Sequence, residues 1–291
     1  MSQKIGNMYV DEVYSTMFIE NLRPGSFLVE GQTFSSRYSK GDPKAGVVWF
    51  HKLNKTTVAS AEVGGNYNHE ETADALVPIY VTNAFRSSKK LRGVVASQIN
   101  APYMDAVATE QALDVRAGKD ATAIAGLVFG GTKSGDTDTS TIDTIQKKIL
   151  DGKTALARKN ATATVLLVAP EIEALLMEAH LTKAIFTPVT NDELIKAGVI
   201  GKYLGMYVFS RVELKNEANN AVIYRNDAQR QVDLSNVEFV MYDAQYFGKV
   251  DSFEEARIAP SNDFAGMYAN IEQNAGFGVL NADAVYVKTI A

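Results

Sequence analysis

The sequence contains no cysteine in its 291 residues. Disulfides, thiolate metal sites and cysteine nucleophiles are therefore excluded, and the composition fits folding in a reducing cytoplasm. Histidine is almost as scarce, because His51, His69 and His180 are the only three and lie too far apart for any local metal-ligand spacing. From these absences we expect neither a metal ion nor a cofactor.

Positive charge and long apolar runs are lacking as well. The net charge of −5 at pH 7 argues against affinity for nucleic acid through phosphate neutralisation. The densest cationic cluster, formed by Lys89, Lys90 and Arg92, is typical of a solvated strand end. No apolar run reaches the roughly 18 residues that a membrane helix needs, and the first residues lack a secretory-signal pattern. We therefore expect no membrane partner.

The sequence does contain enough apolar residues for a sizeable core, since 46% are hydrophobic, and its length predicts one elaborate domain or two interleaved ones. Residues 31–75 are an exception, with only 15 apolar residues in 45. Compact chains seldom carry so long a connection without a core of its own. We therefore expect a neighbouring subunit or a ligand to order this segment, with Trp49 and Phe50 as its anchors.

The remaining sequence predicts alternating helices and strands. Pro102 opens a predicted helix of about 25 residues, and Ser140 and Asp143 form a capping-box pair that predicts a second helix. Residues 165–169 predict a buried strand, and Pro170 begins a further helix. Other strands are expected at residues 76–85, 206–210, 221–225, 237–242 and 284–290.

Two polar stretches resemble ligand-binding motifs incompletely. Residues 126–134 are glycine-rich like a phosphate-binding loop, but Thr132 stands where that motif requires lysine, so we interpret the stretch as a flexible hinge. Asp136, Asp138 and Ser140 match the first ligands of a calcium loop, whose later Gly and Glu are absent. We interpret these three residues as helix-capping groups instead.

The order of these elements, taken with four short sequences, resembles the major capsid proteins of tailed bacteriophages. Residues 164–176 (TVLLVAPEIEALL) look like the strand and helix that enter the family's axial domain. Residues 198–211 (GVIGKYLGMYVFSR) are similar to that domain's glycine-spaced loop and following strand. Residues 240–245 (VMYDAQ) and 284–287 (AVYV) resemble the family's last strands.

This resemblance implies an α+β fold, the phage major capsid (Johnson) fold, with an N-terminal arm, an extension loop, a long spine helix, a peripheral domain and an axial domain. The implied parts are the arm (1–30), the extension loop (31–75), the peripheral domain with the spine helix (76–160), the axial domain (161–236) and the return strands of the peripheral domain (237–291).

The resemblance also implies a structural role without catalysis. Copies of the chain would assemble into hexamers and pentamers of an icosahedral phage head enclosing double-stranded DNA, which they would not bind sequence-specifically. The chain has no room for a built-in scaffold, so a separate scaffolding protein and a portal are implied partners. The virion, assembled in the host cytoplasm, would be its location. We predict inter-subunit contacts at Trp49, Phe50, Gly201 and Gly205, with both glycines in backbone turns of positive φ.

Two alternatives remain open at the level of sequence. An encapsulin-type compartment has the same fold and would enclose cargo proteins instead of DNA. A small α/β enzyme would use His69, Glu70 and Glu71 as acid and base groups, which would require these side chains to gather in a cleft with perturbed acidities.

Overall fold

The computed structural model describes residues 25–35, 39–40, 46–53, 71, 74–92, 101–183, 186–187, 197–216, 220–225, 228–264 and 266–291. The helices are α1 (Ala101–Gly130), α2 (Ile145–Arg158) and α3 (Pro170–Lys183). The strands are β1 (Ser39–Lys40), β2 (Val47–Leu53), β3 (Asp74–Tyr80), β4 (Asn83–Arg92), β5 (Thr132–Lys133), β6 (Val165–Val168), β7 (Phe186–Thr187), β8 (Val199–Tyr203), β9 (Met206–Ser210), β10 (Asn220–Arg225), β11 (Ala228–Asp233), β12 (Val237–Tyr242), β13 (Phe247–Pro260), β14 (Gly266–Val279) and β15 (Val285–Thr289).

The long predicted helix is confirmed as α1, which runs for 30 residues with Pro102 in its first turn, where the fixed φ of proline is compatible with a helix. Its apolar stripe becomes fully buried toward the C-terminal end, at Ile124 and Val128. The helix lies across an antiparallel sheet ordered β13-β14-β4. A Cβ added to Gly126 would lie 3.5 Å from the Cβ of Phe277 on β14, so helix and sheet are in close contact there.

The second large unit is a seven-stranded mixed sheet ordered β5-β15-β12-β6-β9-β8-β7. Its central strand β6 is completely buried, and it pairs antiparallel with β12 and parallel with β9. Helix α3 follows β6 directly, with Glu171 and Glu173 in the first turn, where acidic side chains favour a helix N-terminus. The predicted strand and helix beginning at residues 165 and 170 are therefore confirmed.

The strand predicted over residues 76–85 is wrong in its extent, because the chain changes sheets there. Strand β3 ends at Tyr80, β4 begins at Asn83, and the two strands belong to different sheets. Val81 between them is buried and donates its backbone N–H to the carbonyl oxygen of Gly46. Apolar residues occur on both sides of this change of sheet, and the polar pair Thr82 and Asn83 lies at it in the sequence.

The loop between α1 and α2 is bound to the body at several points, contrary to the hinge interpretation. The Lys288 ammonium donates to the carbonyl oxygen of Asp136 at 2.6 Å, and Lys148 donates to that of Asp138 at 2.6 Å. Strand β5 within this loop also pairs parallel with β15. The ammonium groups of both lysines lie 3.2 to 3.3 Å from Oδ2 of Asp136. The carboxylate that resembled a calcium ligand therefore forms ion pairs with two lysines.

The predicted capping box at Ser140 is also wrong. Helix α2 starts at Ile145, and its N-cap Thr144 makes no side-chain capping hydrogen bond. Ser140 instead donates its backbone N–H (2.9 Å) and its hydroxyl to the carboxylate of Glu238, which is completely buried on β12. A buried carboxylate requires donors, and this long-range requirement outweighs the local capping pattern.

Candidate functional site

The β2–β3 hairpin is a feature of the described chain that could meet a partner. The strands pair antiparallel from Val47–Tyr80 to Leu53–Asp74, and β1 lies on the other edge of β2. Strands β1 and β2 fall in the segment predicted to be an apolar-poor extension loop (31–75), whereas β3 continues beyond its predicted end. Residues 54–70 and 72–73, at the far end of the hairpin, lie outside the described residues.

One face of this hairpin packs on its own subunit. Val48, Phe50 and Ile79 point inward and form a small apolar cluster with Val81 and Val250. Phe50 retains only 2% of its exposure. Backbone approach is very close at this contact: a Cβ added to Gly276 on β14 would lie 2.5 Å from the carbonyl oxygen of Tyr80.

The opposite face of the hairpin presents apolar side chains to solvent. Trp49 is 42% exposed and Leu76 is 50% exposed. Residues directly opposite each other in an antiparallel pair share a face, so Trp49 lies beside Pro78 and His51 beside Leu76. An aromatic residue exposed beside other apolar groups is typical of an interaction surface. Of the two predicted anchors, Trp49 therefore has surface to offer a partner, whereas Phe50 mainly stabilises the hairpin on its own chain.

The two predicted glycine turns have different outcomes. Gly205 adopts φ +85° in the tight turn between β8 and β9, after Leu204 at φ +50°, as expected for a hairpin turn that needs positive φ. Gly201 is buried within β8, pairs with Val208 beside a register irregularity, and is absent from the positive-φ residues. The turn predicted at Gly201 is therefore wrong, while the predicted contact of either glycine with another subunit stays a prediction.

A buried ionic cluster joins three parts of the chain that are distant in sequence. Asp120 on α1 and Arg211 after β9 lie 3.5 Å apart between Oδ2 and Nη1, with their side chains 3% and 1% exposed. Ser26 donates its hydroxyl to Asp120 at 2.6 Å. Glu213, two residues beyond Arg211, is also buried. Burial is the main cause that raises the pKa of Asp120 to about 6, and Glu213 raises it further, while Arg211 and Ser26 oppose the shift.

This cluster is not predicted from the sequence, although the sequence contains one signal of it. Asp120 precedes Ile124 by four residues, and residues at that spacing share a helix face, so the apolar stripe contained a carboxylate. Its partners could not be found this way, because Ser26 is 94 residues away and Arg211 is 91 residues away.

The described residues contain no group of three or more His, Asp or Glu side chains able to hold a metal ion. They also contain no helix long and apolar enough to cross a membrane. Of the candidate acid and base groups, Glu71 is exposed, while His69 and Glu70 lie outside the described residues.

Comparison with solved structures shows similarity over nearly the whole chain. A structure from Mycobacterium phage Che8 is 18% identical with a TM-score of 0.65, covering 96% of this chain and 97% of that one. The capsid of Cyanophage P-SCSP1u is 11% identical with a TM-score of 0.64, covering 96% and 92%. The mature capsid of bacteriophage PhiM1 is 11% identical with a TM-score of 0.61, covering 96% and 93%.

The chain has the phage major capsid (Johnson) fold. This confirms the α+β class and the fold expected from the order of elements. No protein-family model and no curated protein match the chain by sequence. The sequence identities to these structures are only 11% to 18%. The similarity therefore lies in the arrangement of helices and sheets, and few residues are shared.

Proposed function

We propose that this chain is the major capsid protein of a tailed phage, a structural subunit that assembles with copies of itself. One observation carries the proposal: the similarity covers 96% of this chain and 92% to 97% of the phage chains. Similarity over nearly the full length of both chains is what we expect of a subunit that builds the same kind of shell.

The exposed face of the β2–β3 hairpin supports self-association. The inward side chains are buried in the subunit's own apolar cluster, whereas the outward side chains of Trp49 and Leu76 bury only about half of their surface on folding. Burying them against a second copy would remove apolar surface from water. We therefore place an inter-subunit contact at Trp49, with Phe50 supporting it from beneath.

The proposed partners are further copies in hexamers and pentamers, a separate scaffolding protein and a portal. Packaged double-stranded DNA would be enclosed without sequence-specific contacts, in agreement with the net charge of −5. The proposed location is the virion, after assembly in the host cytoplasm. Proposed division of the chain follows the same scheme: arm (1–30), extension loop (31–75), peripheral domain (76–160), axial domain (161–236) and return strands (237–291).

The encapsulin alternative is not favoured, because the similar structures above come from phages. The two functions differ in what the particle encloses. Particles recovered from an infected or induced host should contain nuclease-protected DNA if the chain is a phage capsid protein, and a cargo protein if it forms a compartment. For the small-enzyme alternative, the described residues offer only the exposed Glu71.

Electron microscopy and sedimentation of the purified protein test the proposal directly. We expect rings or closed shells built from hexameric and pentameric units, and we expect Trp49→Ala to weaken assembly while the subunit stays folded. Leu150→Ala is a matched control, since Leu150 is similarly exposed at 47% but lies on α2, away from the hairpin. A strict monomer at every concentration and ionic strength would contradict the proposal.

A further inference from the structure

Residues 25–27 are bound one after another by the two members of the buried ion pair. The carbonyl oxygen of Gly25 accepts from Nη2 of Arg211 at 2.8 Å, and the Ser26 hydroxyl donates to Asp120 at 2.6 Å. The ring of Phe27 lies 4.7 Å from the guanidinium carbon of Arg211, as in a cation–π contact. Asp120 and Arg211 thus form a docking site for three consecutive residues.

The cluster is unbalanced in charge. Two buried carboxylates, Asp120 and Glu213, share one buried guanidinium, that of Arg211. Tyr242 on β12 faces the pair, and Arg116 one turn earlier on α1 is exposed, so its charge is screened by solvent. One proton on Asp120 would leave a single buried pair of opposite charges.

The site is also incompletely hydrogen-bonded. Within the described residues, four buried atoms of the cluster have no hydrogen-bond partner: Nε and Nη1 of Arg211, Oε2 of Glu213 and the hydroxyl of Tyr242. Unpaired buried polar groups disfavour the closed arrangement. Docking of residues 25–27 therefore carries a free-energy cost, because these polar atoms are buried without partners. When the site opens, water could hydrogen-bond to them.

We propose that residues 25–27 and the Asp120–Arg211 pair form a proton-linked latch that closes more tightly when Asp120 carries a proton. Protonated Asp120 still offers a hydroxyl for a hydrogen bond with Ser26, and Arg211 then has Glu213 as its counterion. Arg211 also keeps its bond to the carbonyl oxygen of Gly25. This inference concerns contacts within one subunit and does not rest on the proposed capsid function.

The direction follows from the environments of Asp120 in the two states. In the closed latch the pKa of Asp120 is about 6, mainly because of burial, and undocking of residues 25–27 admits water, in which an Asp has a pKa of 3.8. Opening also removes the Ser26 hydrogen bond, which lowers the pKa of Asp120, but burial is the larger cause. The closed state therefore binds a proton more strongly, and a fall in pH favours closing. Between about pH 7.5 and about pH 5, the closing equilibrium should change about tenfold.

Hydrogen exchange of the peptide covering residues 25–35 tests the latch. Its amides depend on the docked arrangement, since Leu28 donates to the Ser26 hydroxyl and Val29 donates to the Thr33 hydroxyl. After correction for intrinsic exchange, wild-type protection should be about tenfold higher at about pH 5 than at about pH 7.5. Strand β6 serves as an internal reference that should not change.

Two variants separate titration of Asp120 from other effects of pH. Asp120→Asn resembles the protonated form and should show protection that is independent of pH over this range. Glu213→Gln removes the second carboxylate, so Asp120 then keeps its charge to lower pH and the pH dependence should shrink. Sedimentation at both pH values confirms that the assembly state is the same.

Equal wild-type protection at both pH values would overturn the latch, as would an unchanged pH dependence in both variants. If Asp120→Asn fails to fold, Glu213→Gln alone still decides the question. Titration of the Asp120 carboxyl carbon by NMR gives a second readout: a pKa near 3.8 in the folded protein would also contradict the proposal.

Discussion

The seven-stranded sheet and the β2–β3 hairpin differ in how completely they bury their apolar side chains within the subunit. Strand β6 is buried at all four residues, so its side chains are fully satisfied within one subunit. In the hairpin only alternate residues are buried, and Trp49 and Leu76 remain half exposed on the other face. One part of this chain therefore stabilises the subunit, while the hairpin leaves apolar surface exposed, where we propose that a partner binds.

The largest expected effect tests the first half of this comparison. Leu167→Ala in β6 removes a side chain that is 0% exposed and leaves a cavity, which should lower the free energy of unfolding by about 4 kcal/mol. Urea unfolding of the subunit measures this. Leu76→Ala on the exposed hairpin face is the control, and a loss as large as that of Leu167→Ala would contradict the assigned roles.

Adjacent residues of β2 give the sharpest form of the comparison. Phe50→Ala should cost the subunit about 3 kcal/mol, because Phe50 is buried in a small cluster. Trp49→Ala should change subunit stability by less than about 1 kcal/mol and act on assembly instead. Urea unfolding of the subunit and sedimentation of the assembled particles, measured on both variants, distinguish the two effects. Equal stabilities would show that the hairpin base is not anchored as described.

Gly276 tests whether the hairpin base depends on close backbone contact. Gly276→Ala places a Cβ 2.5 Å from the carbonyl oxygen of Tyr80, so the strands must separate, at a cost of about 2 kcal/mol. Gly135→Ala is the matched control, because a Cβ at Gly135 meets nothing within 4 Å and its φ is not positive. Gly276→Ala should lower the midpoint of thermal unfolding, whereas Gly135→Ala should leave this midpoint almost unchanged.

Gly205 probes the edge of the seven-stranded sheet, where the expected effect is smaller. A Cβ at Gly205 would meet nothing within 4 Å, so Gly205→Val introduces only the strain of φ +85°, about 1 to 2 kcal/mol. Gly201 is one of the buried residues of β8, so the cost of Gly201→Val comes from packing instead. If Gly205→Val left unfolding unchanged and particles formed normally, its assigned role in the turn would be wrong.

The smallest effect concerns pH and the loop held by Lys288. The hydrogen bond from the Asp138 amide is the main cause that lowers the pKa of Asp136 to about 2 in the folded state, from 3.8. The stabilising contribution is therefore fully present above pH 3.8 and is lost as the pH falls through about 2. Because this side chain is 44% exposed, solvent screens its ion pairs with Lys148 and Lys288, and the effect should stay well below the others.

Comparing the unfolding free energy of wild type and Asp136→Asn measures this contribution. Wild type should be slightly more stable at about pH 5, and the difference should shrink as the pH falls through about 3 to 2. Asp138→Asn is a control, because Lys148 bonds to the backbone carbonyl of Asp138, which this substitution keeps. A difference that grows on acidification would contradict the assigned sign.

Local sequence predicted the elements whose formation depends on neighbours in the chain. Strand β6 and helix α3 were predicted because an apolar run followed by proline is sufficient for a buried strand and a helix start. Strands β9 and β12 were predicted at their observed limits for a similar reason. The order of these parts also sufficed to indicate the fold, since it constrains which sheets can form.

Elements that depend on distant partners were predicted poorly. Ser140 fits a local capping pattern, but a buried carboxylate 98 residues away binds it instead. Phe50 and Trp49 are adjacent and similar in hydrophobicity, yet only the packing of the β2–β3 hairpin on β13 buries Phe50 and leaves Trp49 exposed.

By itself the sequence determined the helices, some of the strands and the order that indicates the capsid fold, because these depend on periodicity and turn residues close together in the chain. Only the tertiary structure decided which face of the hairpin is free, how the loop after α1 is held, and that Ser26, Asp120 and Arg211 meet. The contacts among Ser26, Asp120 and Arg211 join residues about 90 positions apart in the sequence, and no local pattern encodes them. They form only because burial forces polar groups to find partners wherever the fold brings them.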